Sequence, residues 1–175
     1  GVGTVAETSG TMVRDIPRAW EDRLLALNNA HAVELSLLDA RGLRALLDGA
    51  FSARCIGNLD AALIALDERH ATYASPNYLW FRARYSRFVY VDRVVVAEAM
   101  RRKGLARRLY ADLFERAMAT GHDLVVCEVN ADPPNPASDA FHAAMGFEEV
   151  GAAAIHGGAK TVRYLALRLG GLPAV

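Results

Sequence analysis

Cysteine is scarce in this chain: Cys55 and Cys127 are the two in 175 residues, each inside an apolar stretch and neither in a C-x-x-C pair. That scarcity excludes a disulfide scaffold and a cysteine zinc site, and it fits a reducing, cytoplasmic compartment. Net charge is lacking too, because 20 Lys and Arg balance 20 Asp and Glu. No global field draws the chain to nucleic acid or to an anionic membrane surface, so any basic site must be local. No apolar run is long enough to span a bilayer, and the start "GVGTVAETSG" has neither the basic nor the apolar region of a secretory signal. G-x-S-x-G and G-x-x-x-x-G-K-[ST] are also absent, which removes the serine-nucleophile elbow and the P-loop.

What is present suits one domain. Residues 1–11 are small, polar and without periodicity, and read as a flexible tail or a cloning remnant; residues 12–175 read as a single domain with its own core. "GVGTVA" matches a dinucleotide fingerprint, but no strand precedes it and no helix clearly follows, so it is set aside.

"TMVRDI" predicts a first strand, ended by Pro17, whose fixed φ suits the first turn of a helix through "RAWEDRLLALNN". Trp20, Leu24 and Leu27 share a face of that helix, and Asn28, Asn29 and His31 interrupt it as a turn. A second helix is predicted from Asp39 to Gly49, then a hairpin of "FSARCIGN" and "AALIALDE" around Gly57, Asn58 and Asp60. Residues 68–86, "ERHATYASPNYLWFRARYS", read as a long aromatic loop, a length that in a compact domain points to function. "RFVYVDRVVVA" reads as a strand whose last half is covered on both faces. In the clearest helix Leu105, Ala106, Leu109, Tyr110, Leu113, Phe114, Ala117 and Met118 form an apolar stripe, with Arg107, Arg108, Asp112 and Glu115 facing away. "DLVVCEVN" is a further strand, "SDAFHAAM" a short helix after three prolines, and "GFEEVGAAAI" and "KTVRYLALRL" two closing strands. The order β-α-α-β-β-β-α-β-α-β-β predicts an α/β (α+β) fold, a mixed sheet with helices on both faces.

Between Val96 and Leu105 the strand gives way to a helix across Arg101, Arg102, Lys103 and Gly104. Cations at a helix start are poor capping chemistry, because the dipole already places partial positive charge there. An external anion resolves the conflict. Free amides at the helix start can cradle a phosphate, Gly104 lets backbone approach closely, and Ala106 keeps bulk away from the entrance. The plain alternative is a solvated basic face.

"RRKGLA" fits R/Q-x-x-G-x-G/A with Arg101, Gly104 and Ala106 in the defining places, and "NPASDAFHAAMGF" sets Asn135 before a short helix and Gly146-Phe147 after it. In both segments, and over about residues 12–169, the chain resembles the GCN5-related N-acetyltransferase (GNAT) superfamily. "NNAH", "SPNYLWF" and "YVDRVVV" look most like a bacterial branch of predicted acetyltransferases within it. The resemblance implies a mixed, mostly antiparallel central sheet of about seven strands, splayed between the fourth and fifth. It implies acetyl-CoA as cofactor, with the backbone of Val94, Val95 and Val96 pairing with the pantetheine arm like an added strand. Arg101, Arg102, Lys103, Gly104, Leu105, Ala106 and Arg107 would hold the pyrophosphate, and Asn130, Asn135, Ser138 and Phe141 the rest of the cofactor. Asn28, Asn29 and His31, with Tyr73, Asn77, Tyr78, Trp80 and Phe81, would wall the acceptor site.

Acetyl transfer from a thioester to an amine needs an unprotonated nucleophile, donors for the oxyanion and an acid for the departing thiolate. Where the resembled family carries Tyr four places before Gly-Phe, this chain has His142, which can serve as acid only if it holds a proton at neutral pH. Asp92, Glu98 and Glu128 are the candidate bases, and alternation puts Asp92, Val94 and Val96 on one face of their strand. No nucleophile constellation exists, so direct attack in a ternary complex is expected. The reading is a cytoplasmic acetyl-CoA-dependent N-acetyltransferase acting on a small-molecule amine or a peptide N-terminus. It expects no nucleic acid, membrane or metal partner, and closing strands that could pair across a two-fold in a homodimer. The alternative is a non-catalytic acyl-CoA-binding sensor or regulatory module; a nucleotide-binding domain of another kind rests on the basic loop alone.

Overall fold

The computed structural model describes residues 12–31 and 37–170; the expected tail at 1–11 lies outside the described residues. Seven strands form one sheet: β1 (Val13–Asp15), β2 (Ser52–Ile56), β3 (Ala61–Asp67), β4 (Val89–Val96), β5 (Leu124–Asp132), β6 (Glu148–Ile155) and β7 (Lys160–Arg168). Their order is β1-β2-β3-β4-β5-β7-β6. The β1–β2, β2–β3, β5–β7 and β6–β7 pairings are antiparallel. β4 and β5 run parallel, in register at Val89↔Val125 and Tyr90↔Val126. β5 by contrast keeps its register with β7 from Leu124 to Asn130. The short parallel register is the splay expected between the fourth and fifth strands.

Among the described residues five α-helices accompany the sheet: α1 (Glu21–Ala30), α2 (Ala40–Asp48), α3 (Pro76–Arg84), α4 (Leu105–Ala119) and α5 (Pro136–Ala144). α3 corrects the sequence reading, which placed a loop there. Ser75 at the N-cap and Pro76 in the first turn start it. Because one helical turn separates Tyr78 from Phe81, both point inward, and both are fully buried. Among the described residues no helix is long and apolar enough to cross a membrane.

The chain divides into two compact units, one made of residues up to Leu66 with Val91–Glu115, the other of Asp67–Tyr90 with the chain from Arg116 onward. In the first, Asp39 caps α2 by accepting from the Gly42 amide at 2.7 Å. Leu24 of α1, Leu43 and Leu46 of α2, and Leu109 and Leu113 of α4 are buried. Asp112, which the apolar stripe placed outward, instead accepts from Arg54 of β2 at 3.1 and 3.0 Å, while Arg54 also reaches Asp15 at 3.0 Å. A fork-shaped guanidinium can serve two carboxylates at once, and that tie outweighs the helix pattern.

The second unit is built on aromatic rings. Tyr78, Phe81, Phe88, Tyr90 and Tyr164 are buried, and the Tyr78 hydroxyl donates to the Asp67 carbonyl at 2.7 Å. Trp80 stacks on Tyr164 with centroids 4.1 Å apart and carries the Arg84 guanidinium at 3.8 Å. Gly151 of β6 makes room for that ring: a Cβ there would lie 2.4 Å from Trp80 Cζ2. Met118, expected on the apolar stripe, is 47% exposed at the end of its helix. Ligand atoms of Asp67, Glu68 and His122 lie within 4.8 Å of one another, but Asp67 is bonded to Arg69 and Glu68 to His122. Burial raises the Asp67 pKa and the Arg69 bonds pull it down further than burial lifts it, so it ends below its ordinary value.

Candidate functional site

In the first unit β4 ends at Val96, and the Ala97 amide anchors the exit by donating to the Asp60 carbonyl at 2.9 Å. Val95 is buried while Val94 and Val96 are half-buried, the alternation expected of a strand. One 3-10 turn over Glu98–Met100 follows, then Arg101 in extended backbone. Arg102 and Gly104 take positive φ, 64° and 74°. Left-handed residues alternating along a turn aim successive amides to one side, the geometry of an anion-binding nest. α4 starts at Leu105 with no acidic residue in its first turn, and its first internal bond runs from Arg108 N to Gly104 O at 3.2 Å. The amides of Leu105, Ala106 and Arg107 therefore lack intrahelical acceptors. Arg101, Arg102, Lys103, Gly104 and Arg107 are exposed, Ala106 is half-buried and Leu105 is buried. A Cβ built on Gly104 meets nothing within 4 Å, so space stands open over the turn. Such a site can hold a multiply charged anion such as a pyrophosphate.

Asn28 and Asn29 lie in the last turn of α1 rather than in a turn, and both are committed to structure. Asn28 is 1% exposed; its Oδ1 accepts from Arg93 Nη1 at 2.8 Å and its Nδ2 donates to Asn29 Oδ1 at 3.0 Å. Asn29 donates to the Leu38 carbonyl at 2.9 Å and accepts from its amide at 3.1 Å. Asn28 and Arg93 also line a narrow apolar cavity with Leu24, Leu38, Ile64 and Val95. Asp92 is paired with Arg93 at 2.6 Å, its side chain 2% exposed, and Glu98 stands in solvent. His31 Nδ1 lies 2.9 Å from Arg101 Nη2.

In the second unit β5 bulges between Asn130 and Asp132, and Asn135 caps α5, its side chain accepting from the Ser138 amide at 3.2 Å. The Asn135 Nδ2 has no partner among the described residues. His142 of α5 is buried, with Phe141 and Phe147 edge-on, each 5.4 Å between centroids. Its Nδ1 donates to the Ser138 carbonyl at 2.7 Å. Burial holds the imidazole below its ordinary pKa, against the opposing pull of the Ser138 bond and Asp139. Burial therefore opposes the protonated form that a role as the acid requires.

Glu128 of β5, half-buried, accepts from the Tyr90 hydroxyl at 2.8 and 3.0 Å and from Asn77 Nδ2 at 3.1 Å. The Tyr164 hydroxyl donates to Asn77 Oδ1 at 2.9 Å. Sequence reading named Glu128 but not its partners, which come from 38 and 51 residues away. Of the expected acceptor walls, Tyr78 and Phe81 are sealed in the core and cannot line a site; Trp80 remains half-buried.

The family model described as acetyltransferase (GNAT) family matches residues 43–147, more than half of the 175-residue chain. No curated protein matches the chain. Among solved structures, NAA60 of Arabidopsis thaliana in complex with acetyl-CoA is 14% identical with a TM-score of 0.71, covering 91% of this chain and 99% of that one. The ribosomal-protein-alanine N-acetyltransferase of Brucella melitensis is 22% identical with a TM-score of 0.68 (90% and 99% covered). The ribosomal-protein-S18-alanine N-acetyltransferase of Escherichia coli is 15% identical at a TM-score of 0.68 (90% and 93%). At these identities the likeness is one of fold.

Proposed function

The chain belongs to the acetyltransferase (GNAT) family, and from that membership we propose that it moves the acetyl group of acetyl-CoA to a primary amine by direct attack, with no covalent enzyme intermediate. The observation that carries this reading is the cationic turn Arg101–Gly104 with its positive-φ residues, unpaired helix amides and open space over Gly104. The amides of Leu105, Ala106 and Arg107 and the side chains of Arg101, Arg102 and Lys103 hold the pyrophosphate. The β4 backbone at Val94–Val96 would meet the pantetheine arm. Acetyl-CoA supplies an activated thioester whose carbon–sulfur bond breaks as the amide forms.

Glu128 takes the proton that the acceptor ammonium must lose before its nitrogen can attack. Asp92 is unsuited, because it is buried against the Arg93 guanidinium at 2.6 Å, which leaves no room for an acceptor. His142, buried and bonded to Ser138, holds α5 in place rather than protonating the thiolate. Two of the structural neighbours are, by name, ribosomal-protein-alanine N-acetyltransferases, which favours a protein or peptide amine over a small-molecule amine.

The test has two stages. Acetyl-CoA at about a hundred times its Kd adds roughly 2.7 kcal/mol and raises the melting midpoint by roughly 5–10 °C, while ATP and NADH do not. Thiol release is then followed with peptides bearing free N-termini. Glu128→Gln should lower kcat by about 10²–10⁴-fold with acetyl-CoA binding intact. An acetyl-CoA shift without turnover on any amine would instead identify a sensor.

A further inference from the structure

Resting on the reading of Glu128 as the base, we propose that Asn77 is the positioning residue for the Glu128 carboxylate, with Tyr164 fixing the orientation of the Asn77 amide. A carboxylate only accepts hydrogen bonds, so the amide must turn its Nδ2 toward Glu128 and its Oδ1 away. Tyr164 completes that arrangement: its hydroxyl donates to Oδ1 at 2.9 Å while Nδ2 reaches Glu128 Oε1 at 3.1 Å. A flipped amide would set oxygen against carboxylate, lose the bond to Glu128 and force the Tyr164 hydroxyl to turn from donor to acceptor.

The chain of contacts is rigid at each link. Tyr164 is the register partner of Glu128 across β5 and β7, and its ring is held between Trp80 at 4.1 Å and Phe81, edge-on at 5.1 Å. Burial first, then the charge of Glu128, pushes the Tyr164 phenol above its ordinary pKa, with Arg84 opposing, so it stays a donor at working pH. Asn77 sits in the first turn of α3, whose Tyr78 and Phe81 are buried, so its backbone cannot drift. Within this unit Tyr90 of β4 donates to Glu128, Tyr164 of β7 is its cross-strand neighbour, and Arg84 of α3 is set on the Trp80 ring. The Asn77 and Tyr90 donors orient the carboxylate oxygens, as a base that must meet its acceptor in one geometry requires.

The test compares wild type with Asn77→Ala, Asn77→Asp and Tyr164→Phe, each checked for an unchanged far-UV spectrum. Two readouts are taken: the titration of the Glu128 carboxyl by ¹³C NMR, and the acidic limb of kcat/KM against pH. Losing one hydrogen bond to an ionised carboxylate should raise both by about one pH unit in Asn77→Ala. Asn77→Asp, which adds a like charge, should raise them further, and Tyr164→Phe by about half as much as Asn77→Ala. If Asn77→Ala moves neither readout while Glu128→Gln still abolishes turnover, Asn77 is only structural and the base reading stands alone. A moved NMR titration with an unmoved kcat/KM limb also overturns the proposal. If Glu128→Gln keeps full turnover, the base reading falls and takes the role of Asn77 with it.

Discussion

Asp92 on β4 and Glu128 on β5 are carboxylates of equal charge on strands of one sheet, set in opposite company. Asp92 has a guanidinium at 2.6 Å and 2% of its side chain exposed; Glu128 is half-buried and held by two phenols and an amide, directly or through one another. A buried ion pair fixes its members to each other and makes them part of the framework. A carboxylate held by neutral donors keeps its charge available to a third party. Both are acids on strands, so in the proposed mechanism it is their partners that separate the framework acid from the proton acceptor.

The largest break in this comparison is Arg93→Met. Removing Arg93 takes from buried Asp92 the guanidinium at 2.6 Å and from Asn28 a donor at 2.8 Å. Equilibrium denaturation should show a loss of about 3–5 kcal/mol, against little change for Glu128→Gln. Equal losses for the two would mean that Glu128 is framework as well.

Gly104→Val tests the cofactor turn. A β-branched residue cannot hold φ of 74°, yet nothing in the protein crowds the position. Acetyl-CoA affinity should fall about a hundredfold, roughly 2.7 kcal/mol by titration calorimetry, while the Glu128 titration stays in place. Gly151→Ala addresses the other side: a methyl 2.4 Å from the Trp80 ring must push it off Tyr164, at a cost of about 1–3 kcal/mol in chemical denaturation. The acidic limb of kcat/KM should move with it, because Trp80 clamps the hydroxyl that orients Asn77.

The smallest effect concerns His142. Its folded pKa is depressed by burial, so on acidification the unfolded chain binds the proton first. The stability carried by the neutral ring is complete above about 6.5 and is lost as pH falls through the folded value. Wild type should therefore lose more stability between pH 7.5 and pH 5 than His142→Leu, as melting curves at the two pH values would show.

The cofactor turn was legible in the sequence because its signal is local: a basic, glycine-bearing break between a β-branched run and an amphipathic stripe. The succession of strands and helices along the chain followed from similar local patterns. The helix at Pro76–Arg84 was missed because arginines and aromatics blur its apolar face, although Ser75-Pro76 is a start signal that could have found it. Asn28 looked like a turn residue because its acceptor role depends on Arg93, 65 positions away. The Glu128 cradle had no local signal at all, since Asn77, Tyr90 and Tyr164 meet only when four elements fold together.

The pocket that Gly151 leaves for Trp80 has a historical consequence. A descendant of this chain that acquires a side chain at position 151 must either displace the Trp80 ring or carry a smaller residue in its place. On both routes Tyr164 loses its stacking neighbour and the donor to Asn77 loses its clamp. Lineages that keep the stacked tryptophan are thereby favoured to keep glycine on the facing strand.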